Sequence, residues 1–246
     1  MRRFRLIQSA CSRIIMRNTF GRNLEIVMRR NFILGLFLVN VPLLCYVYYR
    51  LNLVNYAWYN HSHRSRLHCS TPRNDMKNLI KLAKDLHSIL AALNVTHWLA
   101  YGSLWGALRY QAPLPWDTDV DLGVQRKDIE QVPKNLFHYF FYSKNISIYY
   151  STWGGYYRVT RNGARADLML FDYFSNNGYI ERVGLESYIF YVNYKKMHAF
   201  PSRLVQKPLP MLPFAGRDMP VPRDGLEVQK YHYPYDWWKE SKPIGC

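Results

Sequence analysis

Residues 101–124 read YGSLWGALRYQAPLPWDTDVDLGV. A Gly102-Ser103 pair stands ahead of a helical run, and Asp117, Asp119 and Asp121 follow at alternate positions. Just upstream, THWLAY (96–101) is short, aromatic and uninterrupted. It reads as a buried strand ending at Gly102-Ser103, with LWGALRY as the first two turns of a helix. A strand that turns through small residues into a helix gathers unpaired backbone N–H groups, a hydroxyl and the positive end of the helix dipole at one spot. Such a spot suits a phosphate.

In DTDVDLGV (117–124), a side-chain period of two puts Asp117, Asp119 and Asp121 on one face of a strand and Val120 and Leu122 on the other. Adjacent carboxylates repel and raise each other's pKa unless a cation neutralises them. A hard divalent ion with oxygen ligands, Mg2+ or Mn2+, meets that need. A solvated acidic turn is the bland alternative, and the flanking Trp116 and aliphatic residues fit it poorly.

Downstream, GGYYRVTRNGARADLMLFDYF (154–174) predicts a β-hairpin, because Asn162-Gly163 lies between aromatic and aliphatic runs. Its second strand carries Asp167 inside an apolar run. A carboxylate there needs a partner, either Arg158 or Arg165, or a metal shared with Asp119 and Asp121. Asp172 is placed at the end of that strand. On the other side, Met76, Leu79, Ile80, Ala83, Leu86, Leu90 and Leu93 recur at three and four residues and predict an amphipathic core helix, with Thr71 as its N-cap and Pro72 at its first position. The Pro- and aromatic-rich remainder reads as short strands and turns, then a terminal helix near 224–231, with Trp237 and Trp238 covering a core. His61, His63, His68 and Cys69 lack a second ligand set at zinc spacing, so no zinc site is read there.

The net charge of +16 over 246 residues suggests a polyanion partner until its distribution is examined. Residues 1–50 hold nine arginines against one glutamate, so half of the excess lies in a fifth of the chain. That fifth also holds the nearly uncharged NFILGLFLVNVPLLCYVYY (31–49), flanked by Arg29-Arg30 and Arg50. As a helix its apolar part spans roughly 27 Å, near the thickness of a bilayer core. The sequence therefore predicts a basic cytoplasmic tail (1–30), a transmembrane helix (31–50), a stem (51–70) and a lumenal domain (71–246). Asn40 and Pro42 are tolerable within the span, and Tyr46, Tyr48 and Tyr49 form an interfacial belt. A cleaved signal peptide or a buried core helix is the alternative. The arginine-rich leader and the lack of a small-residue cleavage site argue against cleavage. The positive-inside rule gives a single-pass type II orientation.

Sequons at Asn60, Asn94 and Asn145 all follow the span. Asn94, close to the predicted catalytic strand, is read as a poor acceptor of sugar because of burial. Of four cysteines, Cys11 falls on the cytoplasmic side and Cys45 in the membrane. Cys69 and Cys246 are left to pair in an oxidising lumen.

Taken in order, Gly102, Ser103, Leu104, Trp105, Gly106, Ala107, Arg109, then Pro115, Trp116, Asp117, Asp119 and Asp121, resemble the signature of the LicD/fukutin family. The likeness continues through RADLMLFDYF, with Asp167 in place, and LPFAGRDMPVPRD to YHYPYDWW, covering about residues 75–238. Trp105 replaces a usual leucine, glycines common between Arg109 and Trp116 are missing, and the cysteine-rich zinc loop of some animal members has no counterpart. The resemblance implies an α+β, polymerase β-like nucleotidyltransferase fold, a mixed sheet flanked by helices, behind the membrane helix.

It also implies a transferase that takes a phosphorylated alcohol, such as ribitol phosphate or phosphocholine, from a CDP-linked donor to a glycan hydroxyl on protein or lipid, in the Golgi or ER lumen. Asp119, Asp121 and Asp167 would be catalytic. These three with Asp117 would hold Mg2+ or Mn2+, while Gly102, Ser103, Arg109 and Arg158 would bind the donor phosphate. Other glycosyltransferases are expected partners. A catalytically silent, membrane-tethered escort of another glycan-processing enzyme is the alternative. A template-independent polynucleotide nucleotidyltransferase shares the Gly-Ser and Asp-x-Asp logic, but the membrane span and sequons disfavour nucleic acid.

Overall fold

The computed structural model describes residues 28–51, 69–174, 178–240, 242, 243 and 246. Nearly all of the predicted tail and stem, with Asn60 and His61, His63 and His68, lies outside the described residues. The chain divides into two compact units, Met1–Leu53 and Val54–Cys246. The described part of the first is one helix, α1 (Met28–Leu51), long and apolar enough to cross a membrane by length and composition, with its side chains exposed. Asn40 is satisfied within it, its side-chain amide donating to the Leu36 carbonyl at 2.7 Å.

In the second unit, α2 (Arg73–Ala92) buries Leu79, Leu82, Ala83, Leu86, Ile89 and Leu90 along one stripe. Burial contributes ~2 kcal/mol for each leucine, against tenths of that from helix propensity, so packing holds α2 in place. Thr71 does not cap it. Pro72 takes the N-cap position with no side-chain bond, while the Thr71 hydroxyl donates to Asp117 O at 2.6 Å and its N–H to Pro115 O at 2.7 Å.

The chain continues through β1 (His97–Leu99), α3 (Tyr101–Tyr110), β2 (Asp119–Gln125), α4 (Arg126–Gln131), α5 (Lys134–Tyr142), β3 (Ser147–Ser151), β4 (Tyr156–Arg161) and β5 (Ala164–Phe174). Then come β6 (Tyr179–Arg182), α6 (Glu186–Ile189), α7 (Tyr191–Met197), β7 (Ala199–Pro201), a 3-10 turn, β8 (Met211–Pro213), β9 (Asp218–Pro220) and α8 (Gly225–His232). A seven-stranded mixed sheet runs β1-β2-β5-β4-β3, with β6 and β7 extending from β5. β2 and β5 are parallel, and residues 126–163 cross between them; the other pairings are antiparallel. The fold is thus α+β with a mixed sheet.

Asn162 (φ 50) and Gly163 (φ 78) form the predicted tight hairpin between β4 and β5. β4 and β6 meet end to end beside β5, and the seam needs glycine: a Cβ on Gly155 (φ +63) would stand 1.9 Å from Val183 O.

The two sheet faces differ. Val120, Leu122, Val124, Val159, Ala166, Leu168 and Leu170 share the face covered by α2 and α5, marked by an Arg161–Asp85 ion pair at 2.8 Å and by Phe137 against Tyr157. The opposite face carries Asp119, Asp121, Arg165, Asp167, Tyr156 and Arg158, by alternation and register. Its other end is closed by Trp98, which lies across Gly123 and meets Phe171 and Phe200.

Candidate active site

The site forms where β2 and β5 begin, beside the start of α3. Asp121 and Asp167 are register partners on the parallel pair, and Asp119 is paired likewise with Arg165. Three carboxylates therefore converge on one face. Asp117 is not the fourth strand position: β2 starts at Asp119, after a turn in which Asp117 accepts the Leu114 N–H at 3.0 Å and donates its own to Leu114 O at 2.9 Å. Pro113 and Pro115 hold that segment out of the sheet. Burial pushes Asp117 up to about 7, opposed by the Leu114 N–H, with the Asp119 charge adding.

Asp119 accepts from Arg165 at 2.5 Å. Asp167, buried, receives both arms of Arg158, Nε and Nη2, each at 2.8 Å. This bond holds Arg158 above the usual arginine range. Among the described residues Asp121, which lies beside them, has no such partner. Burial first, then the charges of Asp119, Asp167 and Asp117, raise it well above the carboxylate range, while Arg182 opposes.

Only donor chemistry speaks for a metal here. All-oxygen carboxylates at adjacent strand positions suit Mg2+ or Mn2+, yet among the described residues no three His, Cys, Asp or Glu side chains group closely enough to hold an ion. Two of the three carboxylates are turned onto guanidinium groups instead.

The Gly-Ser element is built differently from its prediction. Tyr101 takes a left-handed conformation (φ 49), which ends β1 at Leu99, and the first α3 bond, Leu104 N–H to Ala100 O, places Gly102 and Ser103 inside the first turn. Their N–H groups precede the first intrahelical bond, and Gly102 lies beside the Asp117 turn; a Cβ on Gly102 would stand 3.6 Å from Asp117 Oδ1. Ser103 Oγ accepts the Asp121 N–H at 2.9 Å and Ala100 N–H bonds Asp121 O at 3.0 Å, so α3 is pinned to the carboxylate strand. Arg109 is not brought to the carboxylates. It lies about 9 Å further along α3, exposed, stacked on Trp105 at 3.9 Å.

A polar hub behind α3 holds Tyr101. Its hydroxyl, kept protonated because burial pushes it up to about 12, is 2.8 Å from Nδ1 of His198, which burial keeps neutral. Its ring lies 4.2 Å from that of His232, and its carbonyl accepts Gln229 Nε2 at 2.7 Å. His232 Nδ1 is 2.8 Å from Met197 O, leaving Nε2 buried with no hydrogen-bond partner among the described residues. Arg182 reaches the same region from β6, donating to Gly154 O at 3.0 Å beside the Tyr156 and Tyr194 rings. None of Arg182, His198, Gln229 and His232 was legible as a site residue, since each stands alone in sequence.

Elsewhere, Cys69 and Cys246 form a disulfide. Asn94 and Asn145 are both exposed, so burial does not exclude Asn94 as an acceptor of sugar. Asp172 lies on β5 beyond Phe171, 3.7 Å from Arg126. Trp238 is exposed and covers no core.

A family model described as LicD/FKTN/FKRP, nucleotidyltransferase domain, matches residues 94–224. An uncharacterized protein of Rickettsia prowazekii is 39% identical over 51 residues, which are 21% of this chain and 19% of that protein. Ribitol 5-phosphate transferase FKRP of Homo sapiens is 41% identical over 59 residues, 24% of this chain and 12% of that protein. The matched stretches thus span about a fifth or less of these relatives. Among solved structures, ANT(2")-Ia in complex with adenylyl-2"-tobramycin aligns at a TM-score of 0.40 and 13% identity, over 63% of this chain and 75% of that one.

Proposed function

The chain belongs to the LicD/FKTN/FKRP nucleotidyltransferase family, and from that premise we propose that it transfers a phosphorylated alcohol from a CDP-linked donor to a glycan hydroxyl. The observation that carries the reading is the meeting of Asp119, Asp121 and Asp167 at the start of a parallel strand pair, with the first turn of α3 pinned beside them. The fold is read as the polymerase β-like nucleotidyltransferase core. The human relative, a ribitol 5-phosphate transferase, makes ribitol phosphate the first alcohol to try, with phosphocholine next. We read α1 as a type II membrane anchor in the ER or Golgi, which places the domain and its glycan acceptor in the lumen.

In the proposed reaction the acceptor oxygen bonds to the phosphorus that carries the alcohol. That phosphorus loses its bridging oxygen, which leaves with CMP, and the hydroxyl proton passes to a base. Asp167, on the same sheet face as Asp119 and Asp121, is the base proposed to take that proton. The N–H groups of Gly102 and Ser103 and the Ser103 hydroxyl hydrogen are donors for a donor phosphate. Arg158 and Arg165 supply positive charge on the same face. A Mg2+ or Mn2+ ion held by Asp119, Asp121 and Asp167, with Asp117 nearby, would supply charge neutralisation at the pyrophosphate and the leaving CMP.

The test gives purified full-length protein Mn2+ with CDP-ribitol or CDP-choline and follows CMP with and without a mixed glycan acceptor. Acceptor-dependent CMP that disappears in Asp121→Asn is expected. A folded protein releasing no CMP from any donor would overturn the reading. It would favour the silent escort, which draws its one support from the arginines seated on Asp119 and Asp167.

A further inference from the structure

We propose that the face of β4 and β3 beyond Asp167 is an acceptor subsite: a strip of hydroxyls around one exposed aromatic ring, Tyr149, that takes the sugar units behind the glycan hydroxyl being modified. This rests on the transferase reading and names the surface through which that site holds its carbohydrate.

The register draws a straight row across the sheet. Asp121 is paired with Asp167, Asp167 with Arg158, and Arg158 with Tyr149, so all four stand on the site face. Asp167 first, then the Tyr156 and Tyr149 phenols, hold Arg158 above the usual arginine range, in agreement with Tyr149 lying beside it. Neighbouring strands are about 4.8 Å apart, so Tyr149 stands about 10 Å from Asp167, within reach of the units that follow the reacting sugar. Tyr150 turns to the other face, its ring 4.9 Å from that of Tyr157. Tyr149 is 54% exposed and has no ring partner among the described residues.

Position and lining both select a carbohydrate. Ser103 ties the start of α3 to β2, so a donor phosphate seated there occupies the β2 side of the site. In-line displacement sets the attacking oxygen opposite the leaving one, which brings the acceptor in from the β4 and β3 side. On that face β3 presents Ser147, Tyr149 and Ser151, and β4 presents Tyr156, Arg158 and Thr160. Ser147, Tyr149 and Thr160 are exposed. Neither strand contains Asp, Glu or Lys, and the face they share here has no aliphatic side chain. A membrane surface asks for aliphatic and lysine side chains, and a cationic partner asks for carboxylates. Hydroxyl groups answer the hydroxyls of a sugar, and a tyrosine ring packs on its apolar C–H face while the phenol stays wet. The Tyr156 ring already lies beside the guanidiniums of Arg158 and Arg182, at 5.0 and 5.9 Å, so Tyr149 is the ring left for a ligand.

The test measures binding of full-length wild type, Tyr149→Ala and Tyr149→Phe to an array of oligosaccharides released from glycoproteins and glycolipids, with thermal melts confirming the fold of each. We expect wild type to bind a subset, Tyr149→Ala to lose about tenfold in affinity for that subset, and Tyr149→Phe, which keeps the ring, to stay within about twofold. In the CMP assay Tyr149→Ala should raise the acceptor KM by the same factor. Tyr149→Gln provides the ringless variant if Tyr149→Ala does not fold. Equal affinity in wild type and the ringless variant, or no oligosaccharide bound by wild type, would overturn the subsite; acceptor-dependent CMP release would still leave the transferase reading standing. Glycan binding that depends on Tyr149, with no CMP from any donor, would overturn the transferase reading and leave the strip as a glycan-binding surface.

Discussion

His232 lies beneath the residue that starts α3, and acid should expose its role. Burial lowers it from the ordinary 6.5 to about 4, and the Arg182 charge adds to this against the bond with Met197 O. A base whose folded pKa is depressed contributes stability above its unfolded pKa and loses it as pH falls through the window from 6.5 to 4. With one unit equal to ~1.4 kcal/mol, the loss is about 2 kcal/mol at pH 5 and about 3 kcal/mol at pH 4. The structural reason is specific: Nδ1 is committed to Met197 O, so the incoming proton must go on Nε2, which is buried without an acceptor among the described residues and close to Arg182. Asp117 and Asp121 titrate in the opposite sense, because their raised pKa values relieve repulsion as pH falls. The wild-type curve alone therefore mixes opposing slopes, and the comparison must be a difference. His232→Gln keeps a donor for Met197 O but cannot gain a proton. Urea unfolding in EDTA from pH 7.5 to 4.5 should show the wild-type advantage over this variant shrinking by about 2 kcal/mol between pH 7.5 and 5, some 4–8 °C in Tm. A gap that stays constant with pH would refute the assignment of a buried neutral imidazole beside Tyr101.

Asp121→Asn should reduce transfer by ~10²–10³-fold or more while raising metal-free stability at pH 8, since it removes a carboxylate whose ionisation is opposed by burial and three neighbours; thermal melts in EDTA and CMP release check the two halves. Cys246→Ser opens a loop with a sequence separation of 177 and should cost ~3–5 kcal/mol in oxidised protein, read by urea unfolding with and without reductant. Expressed through a secretory pathway, the chain should gain gel mobility on endoglycosidase treatment, and Asn145→Gln should remove one glycan's share of that shift, as Asn145 is exposed. An unshifted Asn145→Gln band would remove that site.

What the sequence made legible was local. The 3,4-spacing of α2, the Asn162-Gly163 turn and the alternation of Asp119 and Asp121 are each encoded within a few residues, and each element formed. Errors arose where tertiary contacts overrode a local preference. Thr71 spends its hydroxyl on Asp117 O instead of capping α2, Asp117 is held in a proline-flanked turn, and Tyr101 starts α3 earlier because the hub fixes its backbone. The partner of Asp167 was open between Arg158, Arg165 and a shared metal, and the antiparallel register of β4 on β5 brings Arg158 to it. Arg165 on Asp119 follows from a parallel register between residues 46 apart, which no local pattern signals. Beyond the Asn145 sequon, residues 125–153 were not read for structure, yet α4, α5 and β3 supply much of the crossover.

That crossover sets the order in which the chain can be assembled. A parallel pair cannot close as a hairpin, so a chain emerging from its N-terminal end completes α2, β1, α3 and β2 while β5 does not yet exist. Until then Asp119 and Asp121 stand on an unpaired edge in water, where like charges are screened. Asp167 joins them only when residues 126–163 have returned to the sheet. The mutual repulsion of the carboxylates is thereby deferred to a late, non-local step, and the same step delivers Arg158 and Arg165 on the incoming hairpin as their first neutralising partners.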